Sequence, residues 1–183
     1  MDMTSQQALP VSQAIAWDAL NDIAMLQSAI PGCESITPTD PDHYDVAITA
    51  AVGPVKAKFK GKLRISDQQA PTGYTIHFEG QGGAAGHGKG HASVTLEPVG
   101  PHQTLLRYTA HATVGGKIAQ LGSRLVDMAA QKMAADFFAN FNSALEAKYP
   151  PPAVPAPAAE PAPPASGGFL AGLVAWFRKL VGA

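Results

Sequence analysis

Residues 55–66, VKAKFKGKLRIS, alternate apolar and polar side chains along almost their whole length. One face of the segment carries Val55, Phe59 and Leu63, while the other face carries only basic and small polar side chains. A period of two residues is typical of a β-strand that buries one face and exposes the other. The segment therefore predicts a long strand with an apolar inner face and a basic outer face.

The same alternation recurs on both sides of this strand, and each recurrence is bounded by turn residues such as Gly53-Pro54 and Gly100-Pro101. A glycine-rich run places a further hairpin turn near Ala84. Because the connections are short, successive strands are expected to pair antiparallel as a meander. The additional predicted strands cover residues 43–52, 74–79, 87–97 and 106–114.

Helical patterns flank the predicted strands. After a short extended piece, two short helices begin at the N-cap candidates Ser12 and Asp22, and Pro31-Gly32 ends the second. From 116 to 148 the apolar residues follow a helical spacing. A helix of about 30 residues would run about 45 Å, and its broad apolar face needs the sheet as its cover.

These elements predict an α+β helix-grip fold, in which a curved antiparallel sheet wraps around a long C-terminal helix. Small residues on the inner faces of the strands favour an apolar cavity between sheet and helix, although a tightly filled core is the alternative. Those small residues are Gly61, Gly80, Gly88, Gly90, Ala92, Ala110 and Ala112.

Composition narrows the classes of function. Hydrophobic residues make up 46% of the 183 and charged residues 15%, and the net charge of −1 argues against a nucleic-acid binder. The single Cys33 excludes an internal disulfide. No secretory signal is expected at the N-terminus, and no apolar window is long enough to span a bilayer.

Four segments resemble the carbon monoxide dehydrogenase G-subunit family, within the START-like (SRPBCC) helix-grip superfamily. They are LNDIAMLQSAIPGCESI (20–36), VGPVKAKFKGKLRI (52–65), GQGGAAGHGKGHASVTLEP (80–98) and VGGKIAQLGSRLVDMAAQKMAADFFANF (114–141). The resemblance implies an accessory protein without catalytic residues. Its implied partner is a molybdenum-containing carbon monoxide dehydrogenase or a related hydroxylase, which it would recruit to the cytoplasmic membrane.

The cavity implied by the superfamily suits a lipophilic ligand, and a respiratory quinone, ubiquinone or menaquinone, is the expected one. Tyr74 and Tyr108 would offer hydroxyl groups to a quinone carbonyl. A tether with a closed core and a cyclase or hydrolase acting on an apolar substrate are the alternatives. The predicted cavity wall comprises Phe59, Tyr74, Ile76, Phe78, Tyr108, Leu121, Leu125, Met128, Met133 and Phe137.

Composition divides the chain into a domain at 1–148, a Pro/Ala-rich disordered linker at 149–168 and an amphipathic helix at 169–183. Fifteen helical residues reach about 22 Å, short of the roughly 30 Å hydrocarbon core. The helix should therefore lie in the membrane interface, although docking on its own domain or on a protein is the alternative. Its predicted membrane-binding residues are Phe169, Leu170, Leu173, Val174, Trp176, Phe177, Arg178, Lys179, Leu180 and Val181.

The outer face of the strand at 55–66 forms a basic stripe of Lys56, Lys58, Lys60, Lys62 and Arg64. The stripe suits phospholipid headgroups or an acidic protein partner. The alternative is a solvated face whose lysines protect a sheet edge.

Two further patterns carry weaker functional hypotheses. GQGGAA resembles a dinucleotide fingerprint but precedes a strand instead of the helix that such a site needs. His77, His91 and His111 are expected to lie side by side on the outer face, where imidazoles could bind zinc or copper, but no metal site is expected. Cys33 is expected to be unreactive, because the neighbouring Glu34 raises the pKa of the thiol.

Deletion of residues 169–183 is expected to abolish flotation of the protein with liposomes in a density gradient. The deleted segment contributes eight large apolar side chains and two basic ones, whose partial burial is enough for about micromolar binding. Flotation equal to that of the full-length chain would contradict the membrane assignment.

Overall fold

The computed structural model describes residues 1–150. The predicted tail helix, and the predicted linker from residue 151 onward, lie outside the described residues. In chain order the elements are β1 (Asp2–Leu9), α1 (Gln13–Leu20), α2 (Ile23–Ala29), β2 (Cys33–Asp40), β3 (His43–Val52), β4 (Val55–Gln69), β5 (Gly73–Gln81), β6 (His87–Gly100), β7 (Gln103–Gly115), α3 (Lys117–Gln120) and α4 (Ser123–Lys148).

The seven strands form one antiparallel sheet in the order β1-β7-β6-β5-β4-β3-β2. Strands β3 to β7 are the predicted meander, and a short 3-10 turn at Gly83–Ala85 makes the hairpin expected near Ala84. The extended piece at the N-terminus is β1, which pairs with β7 from Asp2↔His111 to Leu9↔Thr104. The sheet and the C-terminal helix confirm the predicted α+β helix-grip architecture.

The C-terminal half of α4 is the part of the helix that packs most deeply on the sheet. Phe141 and Leu145 are completely buried, and Phe138 is 8% exposed. The Phe138 ring stacks on Tyr108 of β7 with 5.6 Å between centroids. The Asn140 side chain also donates a hydrogen bond to the Ala29 carbonyl at 3.1 Å, which joins α4 to α2.

A second, smaller apolar cluster closes the other end of the space between sheet and helix. Its buried members are Ala85, Ile118 and Val126, which come from the β5–β6 turn, α3 and the first turn of α4. Phe59 of β4 is partly buried against them. The interior is therefore divided into a main core and a separate cluster near the start of α4.

The predicted 116–148 helix is wrong in one respect, because the structure breaks it into α3 and α4. Gly122 lies between them with φ +90°, a left-handed conformation that cannot continue a right-handed helix.

The strand β2 was missed altogether. Only Ile36 of this edge strand is buried, and Pro38 lies within it, so the segment shows no alternating pattern.

No helix among residues 1–150 combines the length and the apolar character needed to cross a membrane.

Both predicted helix starts are confirmed, but the two N-caps differ. Ser12 occupies the N-cap of α1 without a side-chain hydrogen bond. Asp22 caps α2, where its Oδ1 accepts from the backbone N–H groups of Ala24 at 3.0 Å and Met25 at 3.2 Å. Its Oδ2 accepts from Lys148 Nζ at 2.8 Å, so one carboxylate connects the start of α2 to the end of α4.

Asp22→Ala is expected to lower the free energy of unfolding by about 1 kcal/mol at neutral pH, because it removes the cap. The hydrogen bond from Lys148, followed by that from Met25, holds the pKa of Asp22 below its usual value. The stabilisation is therefore complete above the unfolded-state pKa and disappears as the pH falls through the lowered folded-state pKa. Urea denaturation at several pH values measures both effects.

Asp22→Asn is the matched control, since asparagine caps helices about as well as aspartate but forms no ion pair with Lys148. It should cost less stability than the alanine variant at neutral pH. Equal losses for the two variants would show that the cap contributes nothing.

Candidate ligand cavity and outer trough

An apolar cavity of about 350 Å³ lies between the sheet and the helices α2 and α4. This volume is at the lower end of the roughly 300–1,000 Å³ found for small-molecule sites. The wall is contributed by α1, α2, the strands β2 to β7, the turns that flank α2, and α4. Its residues are Leu20, Asn21, Ile23, Leu26, Ile30, Pro31, Ile36, Tyr44, Leu63, Ile65, Tyr74, Ile76, Ala92, Val94, Leu106, Tyr108, Met133, Ala134, Phe137 and Phe138.

The cavity wall differs in exposure from one side to another. Val94 and Leu106 are 8% and 2% exposed. Asn21, which also lines the cavity, is exposed at the turn between α1 and α2. We therefore take the mouth of the cavity to lie beside this turn.

In the part of the chain that the structure describes, few polar groups line the cavity, and none is a carboxylate, an imidazole, an amine or a thiol. They are the hydroxyl groups of Tyr44, Tyr74 and Tyr108, and the side-chain amide of Asn21. Burial raises the pKa of Tyr74, so this hydroxyl stays protonated and can act as a hydrogen-bond donor. The edge of the Trp17 ring meets the Tyr74 ring with centroids 5.6 Å apart, which fixes the orientation of Tyr74.

Five of the ten residues predicted for the cavity wall line this cavity: Tyr74, Ile76, Tyr108, Met133 and Phe137. The other five do not. The prediction treated the whole inner face as one wall, whereas the second apolar cluster separates the cavity from the start of α4.

Phe59 and Phe78 point to the inner face but lie against glycines instead of the cavity. The Phe59 ring occupies the space where a side chain on Gly82 would be, and it belongs to the second cluster. The Phe78 ring lies over Gly90 in the same way. Because a glycine has no side chain, the neighbouring ring fills the space in each case.

Leu121, Leu125 and Met128 also lie outside the cavity. Leu121 falls in the connection between α3 and α4. Leu125 is 40% exposed and Met128 is 57% exposed. The predicted helical ridge of these three residues is therefore a surface feature.

Sequence reasoning missed the cavity residues that come from α1, α2 and β3. Tyr44 follows the inward alternation of β3, and Leu26 and Ile30 follow the helical spacing of α2. These signals were visible in the sequence. They could not be assigned to the cavity without knowing that α2 packs beside α4.

The basic stripe lies on an interior strand, because β4 pairs with β3 on one side and β5 on the other. The alternative interpretation, in which these lysines protect a sheet edge, is therefore wrong. All five side chains are exposed, and Lys58 forms an ion pair with Glu34. An exposed pair of this kind contributes little stability.

The outer face of the sheet carries a long depression, which we call the outer trough. It consists of two hollows of about 740 and 550 Å³ that share Lys62, Glu79 and Lys89. Its ionisable side chains come from β3 to β7. They are His43, Asp45, Lys60, Lys62, Arg64, His77, Glu79, His87, Lys89, His91 and His111.

The predicted juxtaposition of three histidines in this trough is confirmed. His77 is paired with His91, and His91 with His111, with ring centroids 6.2 and 5.9 Å apart. His111 Nδ1 lies 2.6 Å from Oδ1 of Asp2. Among residues 1–150, no group of three or more His, Cys, Asp or Glu side chains is placed to hold a metal ion.

Cys33 is half-buried in the edge strand β2, and burial raises the pKa of its thiol, with the Glu34 carboxylate adding to the effect. Such a thiol is a poor nucleophile.

A sequence model that describes CoxG, the G-subunit of carbon monoxide dehydrogenase, matches residues 6–146, which is most of the chain. The chain belongs to the CoxG family. Membership in the CoxG family gives the protein a role tied to carbon monoxide dehydrogenase and implies association with that enzyme. No curated protein matches the chain.

Solved structures place this CoxG family member in the START-like fold. A conserved protein from Geobacillus kaustophilus is 26% identical with a TM-score of 0.77, covering 81% of this chain and 97% of its own. A START superfamily protein from Mycobacterium smegmatis is 12% identical with a TM-score of 0.61, covering 80% and 98%. The Zhui aromatase/cyclase from a Streptomyces species is 10% identical with a TM-score of 0.60, covering 81% and 94%.

Proposed function

We propose that this protein is a peripheral membrane accessory protein that recruits a molybdenum-containing carbon monoxide dehydrogenase, or a related hydroxylase, to the cytoplasmic face of the cell membrane. It would carry a respiratory quinone, ubiquinone or menaquinone, in its cavity. The carrier would thereby connect the dehydrogenase to the quinone pool.

The observation that carries the quinone proposal is the chemistry of the cavity wall. Sixteen of its twenty residues are apolar, and the others are three tyrosines and Asn21. A quinone combines an apolar ring and isoprenoid chain with two carbonyl acceptors, and tyrosine hydroxyl groups are suitable donors to carbonyls. The ring would occupy the buried end near Tyr74, while the chain would extend along α2 towards the mouth beside Asn21.

The same wall supports binding over catalysis. Cyclisation or hydrolysis of an apolar substrate needs a general acid, a base or a nucleophile near the reacting atoms. Among residues 1–150, no carboxylate, imidazole, amine or thiol lines the cavity. Burial raises the pKa of Tyr74, which makes this tyrosine a weaker acid and thus a poorer proton source.

The membrane part of the proposal is supported by the composition of residues 169–183, which combine apolar side chains with the adjacent Arg178 and Lys179. Such a segment suits the boundary between headgroups and acyl chains. A proline-rich linker of about 20 residues would reach about 60 Å if extended, which would let the domain move while its anchor stays in the membrane.

The protein, gently purified from membranes without detergent extraction of lipids, is expected to carry one bound quinone in native mass spectrometry. Met133→Trp should abolish the bound mass, because Met133 lines the cavity and the larger ring would fill it. Met128→Trp is the matched control, since Met128 is on the same helix but exposed. It should retain the quinone.

A protein that is repeatedly empty, or a quinone that both variants retain, would contradict the carrier proposal. An empty protein that still recruits the dehydrogenase would instead be a simple tether. Turnover of an apolar substrate that Met133→Trp abolishes would point to an enzyme related to the aromatase/cyclase.

A further inference from the structure

The outer trough and the ligand cavity lie on opposite faces of the sheet. The cavity is enclosed between the inner face and α2 and α4, whereas the outer face has no helix over it among residues 1–150. A protein that exchanges an apolar ligand at its cavity mouth leaves the trough free for another contact. The trough is therefore a separate surface with its own charge pattern.

The trough carries more lysine and arginine than acidic side chains, and along one row the acidic and basic residues alternate. One row across four neighbouring strands reads Asp45, Lys62, Glu79 and Lys89, with each residue paired in register with the next. Lys60 and Arg64 add positive charge on the two sides of this row. Within residues 1–150, Lys60, Lys62, Arg64 and Lys89 form no ion pair with a carboxylate.

These basic side chains, which have no carboxylate partner within residues 1–150, can form ion pairs with an acidic group that binds in the trough. The alternating signs of the row do not match a uniformly negative membrane, which would repel Asp45 and Glu79. They suit a protein segment with its own fixed pattern of charges, because complementary patterns set the register of an interface.

We propose that the outer trough binds a charged segment of the partner dehydrogenase whose acidic side chains contact Lys62, Arg64 and Lys89. This proposal rests on the proposed recruitment function and specifies which surface performs it. It narrows the predicted basic stripe, because Lys56 lies outside the trough and Lys58 is paired with Glu34. It also adds Lys89 from β6, which the stripe did not include.

The test measures binding of the full-length protein to the molybdenum-containing carbon monoxide dehydrogenase holoenzyme by biolayer interferometry at low and high salt. The triple variant Lys62→Glu/Arg64→Glu/Lys89→Glu is expected to bind about tenfold or more weakly at low salt. The matched control Lys117→Glu/Arg124→Glu/Lys132→Glu changes the net charge equally on α3 and α4, where all three side chains are exposed, and should bind nearly as the wild type does.

The charge-reversal variant places three additional acids beside Asp45 and Glu79, and their repulsion could unfold the sheet. A neutral variant, Lys62→Gln/Arg64→Gln/Lys89→Gln, is therefore measured as well. This variant should show a smaller loss in the same direction together with a shallower salt dependence. Circular dichroism confirms that each variant is folded before binding is measured.

Flotation with phosphatidylglycerol vesicles is measured in parallel. Equal dehydrogenase binding by the folded trough and control variants would overturn the trough proposal while leaving recruitment intact. If the trough variant loses vesicle binding but keeps dehydrogenase binding, the trough is a membrane-binding surface, and the trough proposal is again wrong. If the wild-type chain does not bind the dehydrogenase at all, the recruitment function itself is wrong and the trough proposal fails with it.

Discussion

The packing of the C-terminal half of α4 on the sheet is the constraint on which the rest of this structure depends. Phe137 stacks on Phe141 with centroids 5.5 Å apart, and Phe138 stacks on Tyr108. These contacts fix the helix at one end of the sheet, where Phe141 and Leu145 are fully buried. The remaining space between sheet and helices is divided between the cavity and the small cluster near α3.

This division gives the domain two chemically different surfaces on one sheet. The period of two residues that buries Leu63 and Ile65 towards the cavity necessarily directs Lys62 and Arg64 outward. An apolar ligand site and a charged outer face are thus consequences of the same strand. We propose that both surfaces serve one task, in which this CoxG family member carries a quinone and contacts the dehydrogenase.

The parts of the fold that depend on local pattern were predictable from the sequence. Alternation located five of the seven strands. Asp22 was recognisable as an N-cap residue. The pairing of His77 with His91 followed from the hairpin turn expected near Ala84. Edge strand β2 was not predictable, because Pro38 and exposed side chains remove its periodicity. Five of the ten residues predicted for the cavity wall line it, but they are only five of its twenty residues. The misses reflect packing between distant segments, such as the placement of Phe59 on Gly82.

The most direct test of the account is a titration of the full-length protein, carrying ¹³C-methyl-labelled methionines, with a short-chain water-soluble quinone, followed by NMR. Met133 lines the cavity and Met128 is exposed on the same helix, so the two methyl groups report the cavity and the surface separately. The account predicts a saturable shift of the Met133 signal with Met128 nearly unchanged. Saturation that leaves Met133 unmoved, or the absence of any saturable shift, would contradict it.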